Sequence, residues 1–151
     1  MARVGAEDRF AVQDLLMTYV LASDTGDAQA YAETFAPDGI LVTSDGERLV
    51  GRSAIEAHAR HGFAQPGNRG RMHFFQQIGL AHEGDGIRVF SFWQVVQMTA
   101  STRTGRVRST GTCDDLCIRH GDGFLFAERK IGRWTDETAP WQTPISQPDK
   151  P

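Results

Sequence analysis

Residues 71–135 read RMHFFQQIGLAHEGDGIRVFSFWQVVQMTASTRTGRVRSTGTCDDLCIRHGDGFLFAERKIGRWT, and the folding of this stretch decides the architecture. Apolar and polar residues alternate through much of it, which is the period of a half-buried strand. Three turn signals interrupt the alternation: Gly84-Asp85-Gly86, Thr104-Gly105 and Gly121-Asp122-Gly123. They leave strand-like segments over about 71–82, 87–103, 106–119 and 124–135. Strands joined by tight turns predict an antiparallel meander.

Upstream the period lengthens to that of a helix. Phe10, Leu15, Leu16, Tyr19 and Val20 form an apolar stripe, predicting a helix from Glu7 to Ser23. Thr25-Gly26-Asp27 ends it, with Asp27 as N-cap of a second helix over Ala28 to Phe35, which Pro37-Asp38-Gly39 stops. Ile40 to Val42 and Arg48 to Val50 read as a hairpin. Ser53 and Glu56 have capping-box spacing for a third helix, Ala54 to Phe63, and residues 65–70 read as a loop. Helices first and long strands afterwards predict an α+β domain, one curved sheet wrapped around three helices. The domain is expected over residues 1–135. Residues 136–151 hold four of the six prolines and read as a tail, with Trp141 and Ile145 as anchors over a surface or a neighbouring subunit.

Composition narrows the function classes. The chain has 151 residues, 40% hydrophobic and 23% charged, with a net charge of −3, which suits one folded domain and gives no basic excess for nucleic acid. The charged start, with Arg3, Glu7, Asp8 and Arg9, is unlike a secretory signal, and no apolar run approaches membrane-spanning length. The expected setting is cytoplasmic. Cys113 and Cys117 lie four apart; on a strand that is about 13 Å, too far for a disulfide.

Two polar residues stand where apolar ones are expected. Asp24 follows Leu16 and Val20 at i+4 steps and so continues the buried helical stripe. His73 sits within Arg71-Met72-His73-Phe74-Phe75. Singly, each has a structural explanation: a helix-end carboxylate facing water, and a core histidine satisfied by a carbonyl. Together they suggest a general-base dyad, the carboxylate orienting the ring and the imidazole taking a proton.

The ordered fragments Tyr19-x4-Asp24-x-Gly26-Asp27, Tyr31-x3-Phe35-Ala36-Pro37-Asp38-Gly39, Gly51-Arg52-Ser53-Ala54-Ile55, Met72-His73-Phe74 and Gly121-Asp122-Gly123-Phe124-Leu125-Phe126-Ala127-Glu128-Arg129 carry a resemblance. Over about residues 7–135 the chain resembles the SnoaL-like branch of the nuclear-transport-factor-two-like superfamily. The resemblance implies a cone-shaped α+β barrel, a strongly curved antiparallel or mixed sheet closed by three helices around an internal apolar pocket. In the hexachlorocyclohexane dehydrochlorinase and scytalone dehydratase branches, an Asp ending the first helix orients a strand His, and Asp24 and His73 match those positions. The dehydrochlorinase pattern adds an Arg, matched by Arg129. The dehydratase tyrosine before the Asp is Ser23 here. The ketosteroid isomerase branch matches at Tyr19, but its catalytic Asp is replaced by Thr43.

The remaining candidates have competing readings. Arg129 is either a stabiliser of developing negative charge or the partner of Asp114 or Asp115 on the preceding strand. Leu125, Ala127, Arg129 and Ile131 are expected to share one face. Alternation puts Asp114 and Asp115 on opposite faces, with Asp114 taken as the pocket group. Tyr19, Phe75 and Trp93 are expected to line the pocket or pack the core. His58 and His61 lie one helical turn apart but lack the accompanying ligands of a metal site, so no metal is expected. No phosphate-cradling glycine loop or nucleophile elbow is present, so no cofactor is expected. These features predict a cofactor-independent lyase or isomerase acting on a small apolar organic molecule, such as a polycyclic or polyketide intermediate. Neither a nucleic acid nor a membrane is expected as a partner, and the fold favours a homodimer or homotrimer. The alternatives are a non-catalytic binding or assembly module, as in the dioxygenase small subunit of the same fold, and a ketosteroid-isomerase-like enzyme.

Overall fold

The computed structural model describes residues 4–135 and 137–138; the expected tail anchors Trp141 and Ile145 lie outside them. The first helix, α1 (Ala6–Thr25), buries Val12, Leu15, Leu16, Tyr19, Ala22 and Ser23 along one stripe. Its end is set by Gly26, whose φ of 80° is left-handed and whose N–H donates to the Ala22 carbonyl. The helix therefore runs past Ser23, and Asp24 belongs to its last turn.

Asp27 caps α2 (Ala28–Glu33), accepting the Ala30 N–H at 3.0 Å. This helix is shorter than expected because a proline ring collides with the carbonyl four residues earlier. Pro37 thus frees the chain from Phe35 onward, and Phe35 opens β1 (Phe35–Val42). Gly39 lets the irregular part of β1 close up, since a Cβ there would lie 2.9 Å from the Phe126 carbonyl oxygen. After β2 (Arg48–Val50), α3 spans Arg52–Phe63. Gly51 occupies its N-cap and no side chain caps it. The expected Ser53–Glu56 capping box is therefore not formed; Ser53 lies one residue inside the helix.

The four long strands are β3 (Arg71–Glu83), β4 (Gly86–Thr99), β5 (Thr104–His120) and β6 (Gly123–Arg133). They form the expected meander. Among the described residues the six strands lie in the order β2-β1-β6-β5-β4-β3, with β2 and β3 at the edges of the sheet. All neighbours are antiparallel except β1 and β6, whose parallel pairing makes the sheet mixed.

Register irregularities interrupt the ladders at Gln76/Gly79, Val95/Val96 and Leu116/Cys117, and bulges of this kind bend strands. The inner face packs on α1, with Phe35, Leu41, Ile87, Val89 and Phe126 fully buried or nearly so, as is Ile55 of α3. Outward-facing Met72, Phe74 and Phe90 are exposed.

One bulge overturns an expectation. Cys117 pairs with Phe126 and Leu116 with Glu128, so Ala127 is the extra residue on β6. Strand alternation inverts there. Phe124, Phe126 and Arg129 face inward, whereas Leu125 and Ala127 do not share the Arg129 face.

Candidate active site

A cavity of about 390 Å³ lies between the inner face of the sheet and the helices, a size that accommodates a small organic ligand. Tyr19, Tyr31, Trp93 and Cys113 form its buried walls, and Phe75 lies beside them. Its rim carries His58, Asp45, Glu47, Arg108 and Arg133, all exposed. The apolar character expected of the pocket is thus confined to its inner part.

Strand alternation places Arg71, His73 and Phe75 together on the cavity face of β3. The last turn of α1 brings Asp24 against this strand. Asp24 Oδ2 accepts the His73 backbone N–H at 2.8 Å, and Oδ1 lies 2.5 Å from His73 Nδ1. One carboxylate therefore fixes both the strand and the ring. With Nδ1 carrying the proton that Asp24 accepts, the basic nitrogen of a neutral ring is Nε2. The two side chains are 17% and 18% exposed, sheltered but not sealed. A ring held in one tautomer beside a cavity can take a proton from a bound carbon acid and return it elsewhere.

Arg129 occupies a different setting. Its side chain and that of Asp115 are fully buried, with Nη1 2.7 Å from Asp115 Oδ2. Nη2 donates to Cys113 Sγ at 3.2 Å. The guanidinium carbon lies 4.1 Å from the Tyr19 ring centroid, 4.7 Å from Phe126 and 4.9 Å from Phe75. Arg129 is therefore not part of the cavity wall. Of its two expected roles, the structure shows the ion pair.

Burial pushes the Asp115 carboxyl up to about 7, against the pull of the Arg129 guanidinium. Burial also opposes the charge on Arg129, but Asp115, Cys113 and Tyr19 hold its pKa above the usual value. Because a guanidinium keeps its proton in proteins, the pair needs an ionised Asp115, and the ionic form is the working one.

The expectation for Asp114 is also corrected. Asp115 shares the buried face with Cys113 and Cys117, while Asp114 points outward and binds Arg88 at 2.5 Å. Alternation alone could not say which face was the inner one.

Tyr19 lines the cavity, and its hydroxyl lies 2.6 Å from that of Tyr31. Burial raises both phenols, for Tyr19 against the pull of Arg129, so both remain protonated. Two hydroxyl protons are available and the mutual bond uses one, leaving one donor for a ligand. Phe75 and Trp93 also line the cavity. Trp93 Nε1 donates to the Thr112 carbonyl at 3.1 Å, and its indole lies across Gly111, where a Cβ would come within 2.4 Å of Cζ2. Ser23 and Thr43 also line the cavity.

The sequence reading missed Tyr31, Arg71 and Arg108 as cavity residues. Arg71 had a usable signal, since it precedes His73 by the two residues of strand alternation. Tyr31 and Arg108 had none: their placement depends on α2 docking and on the β4–β5 bulge. His58 pairs with Glu47 at 3.3 Å, and no cluster of three potential metal ligands occurs among the described residues.

The sequence profile of the SnoaL-like domain matches residues 5–130. No curated protein matches the sequence. Among solved structures, Aln2 from a Streptomyces species is similar with a TM-score of 0.80 at 21% identity, covering 87% of this chain and 94% of that one. ActVI-ORFA from Streptomyces coelicolor gives 0.73 at 22%, covering 83% and 96%. A protein from Catenulispora acidiphila in complex with S-DNPA gives 0.74 at 23%, covering 85% and 95%. At these identities the structural likeness establishes a shared fold.

Proposed function

The chain belongs to the SnoaL-like domain family, and we propose that it binds a small organic molecule and catalyses proton abstraction from it. The observation that carries this reading is the two-point attachment of Asp24 to His73, which leaves Nε2 as the basic nitrogen of a cavity-lining ring. His73 takes a proton from a carbon adjacent to a carbonyl, and the C–H electron pair moves toward the carbonyl oxygen. Asp24 stabilises the imidazolium that forms. The free proton of the Tyr19–Tyr31 pair is donated to the developing enolate oxygen. Expulsion of a leaving group completes an elimination; return of the proton to another carbon completes an isomerisation. Neither route requires a cofactor.

Arg129 contributes through Tyr19 without touching substrate. Its cation lies against the ring whose hydroxyl makes the donor. The aromatic walls favour a planar apolar body. A homodimer or homotrimer joined through the outer face is supported by exposed Met72, Phe74 and Phe90, and sedimentation equilibrium would measure it.

A planar ketone with acidic α-hydrogens, 2-tetralone, supplies the test. In deuterated buffer the wild-type protein is expected to accelerate α-deuterium incorporation above the buffer rate. His73→Ala should lose on the order of 10²–10⁴ of that acceleration. Equal exchange with and without protein, or with and without His73, would sink the proposal.

A further inference from the structure

We propose that Arg71 and Arg108 form an anion-receiving side of the cavity, selecting ligands in which a planar apolar body carries a carboxylate. This deepens the proton-abstraction reading and rests on it for the orientation of such a ligand toward His73. The pairing of charges around the opening leaves these two arginines apart from the rest. Asp45 is bound to Arg133 at 3.2 Å, and Glu47 to His58 at 3.3 Å. Asp24 attracts Arg71 through space, but both its oxygens are already engaged by His73.

The Arg71 side chain therefore lines the cavity without a hydrogen bond or ion pair to any described residue. It is half-buried, its guanidinium carbon is 5.4 Å from the Phe63 ring centroid, and desolvation with repulsion from Arg108 works against its charge. A cation in this position gains from an anion that the protein does not supply.

Arg108 stands close enough to act on Arg71 electrostatically and also lines the cavity. Its Nη1 donates to the Gly67 carbonyl at 2.7 Å and to Asn68 Oδ1 at 3.0 Å. Both acceptors are neutral, so they fix the side chain without cancelling its charge. Two guanidinium groups on one side of an opening match the planar, bidentate geometry of a carboxylate.

Arg71 and His73 point to the same side of β3, two residues apart, a spacing of about 6.7 Å along a strand. A carboxylate held at Arg71 would leave a carbon of the same molecule at the imidazole, with the apolar body continuing toward Phe75 and Trp93. The carboxylate is a handle; the acidity of the abstracted proton comes from the separate carbonyl facing the tyrosine pair.

The test compares 2-naphthoate with its neutral counterpart 2-naphthamide by titration calorimetry of the intact protein. Wild type should prefer the acid by roughly tenfold or more, with the preference shrinking as salt rises. Arg71→Gln should reduce the preference to near unity, and Arg108→Gln should reduce it in part; Arg108 is exposed, so that variant reports even if Arg71→Gln does not fold. Equal binding of the two probes, no binding of either, or an undiminished preference in the variants would overturn the proposal. Binding of either probe requires no proton transfer. Failure of the exchange reaction alone would reject the dyad and leave the anion site standing.

Discussion

Two aspartates face the interior of this molecule, one bound to an imidazole and one to a guanidinium, and the difference between the pairs separates chemistry from architecture. Asp24–His73 joins the end of α1 to β3 and lies at a cavity, with each side chain about one-sixth exposed. Asp115–Arg129 bridges β5 and β6 with neither side chain exposed, among three aromatic rings. The first pair holds an imidazole, a group that can accept and release a proton; the guanidinium of the second keeps its own. Access and a titratable partner make the first fit for proton transfer. The second can act only through the residues it holds in place.

Removing one member of the sealed pair should produce the largest effect on stability. Arg129→Met should cost about 3–5 kcal/mol in urea unfolding, because it strands a buried carboxylate. Asp115 Oδ1, Arg129 Nε and Ser91 Oγ already lack hydrogen-bond partners among the described residues. The double variant Asp115→Leu/Arg129→Met should therefore recover much of the loss. Asp24→Asn should cost less, about 1–3 kcal/mol, while removing most exchange activity. A larger stability loss at Asp24 than at Arg129 would reverse the assignment.

Alkaline unfolding probes the sealed region further. Burial pushes the Cys113 and Cys117 thiols up to about 12 from an ordinary value of 9.0. Above pH 9 the unfolded chain loses protons that the folded chain keeps, so stability falls as pH rises toward 12. The slope is up to about 1.4 kcal/mol per pH unit for each thiol. Cys117→Ala should flatten it, and an unchanged slope would mean that the thiols reach water. The smallest effect is expected at the link between the two regions. Tyr31→Phe should cost about 0.5–1.5 kcal/mol at neutral pH and slow exchange by about tenfold; because burial also raises its phenol, the loss of stability above pH 10 should be less steep in this variant.

How much could be read from sequence follows the same division. Local periodicity located α1 and the four long strands, because turns and amphipathic spacing are written in consecutive residues. Asp24 and His73 were legible as polar interruptions of apolar patterns. Long-range geometry was not. The parallel joining of β1 to β6 depends on Pro37 shortening α2. The extra residue Ala127 inverts the alternation from which the Arg129 face was inferred. The choice between Asp114 and Asp115 required knowing which face of β5 the helices cover. Arg71 illustrates an intermediate case, its direction given by its distance from His73 but its lack of a carboxylate partner visible only in three dimensions.

Proton abstraction at this cavity depends on Asp24 holding His73 with Nδ1 protonated and Nε2 free to accept a proton. Nitrogen-15 NMR of the histidine rings, recorded at alkaline pH where imidazoles are neutral, reads this directly. The Nδ1–H tautomer is expected for His73 in the wild-type protein, with loss of that fixed preference in Asp24→Asn. A His73 ring carrying its proton on Nε2 in the wild-type protein would leave the cavity without its base.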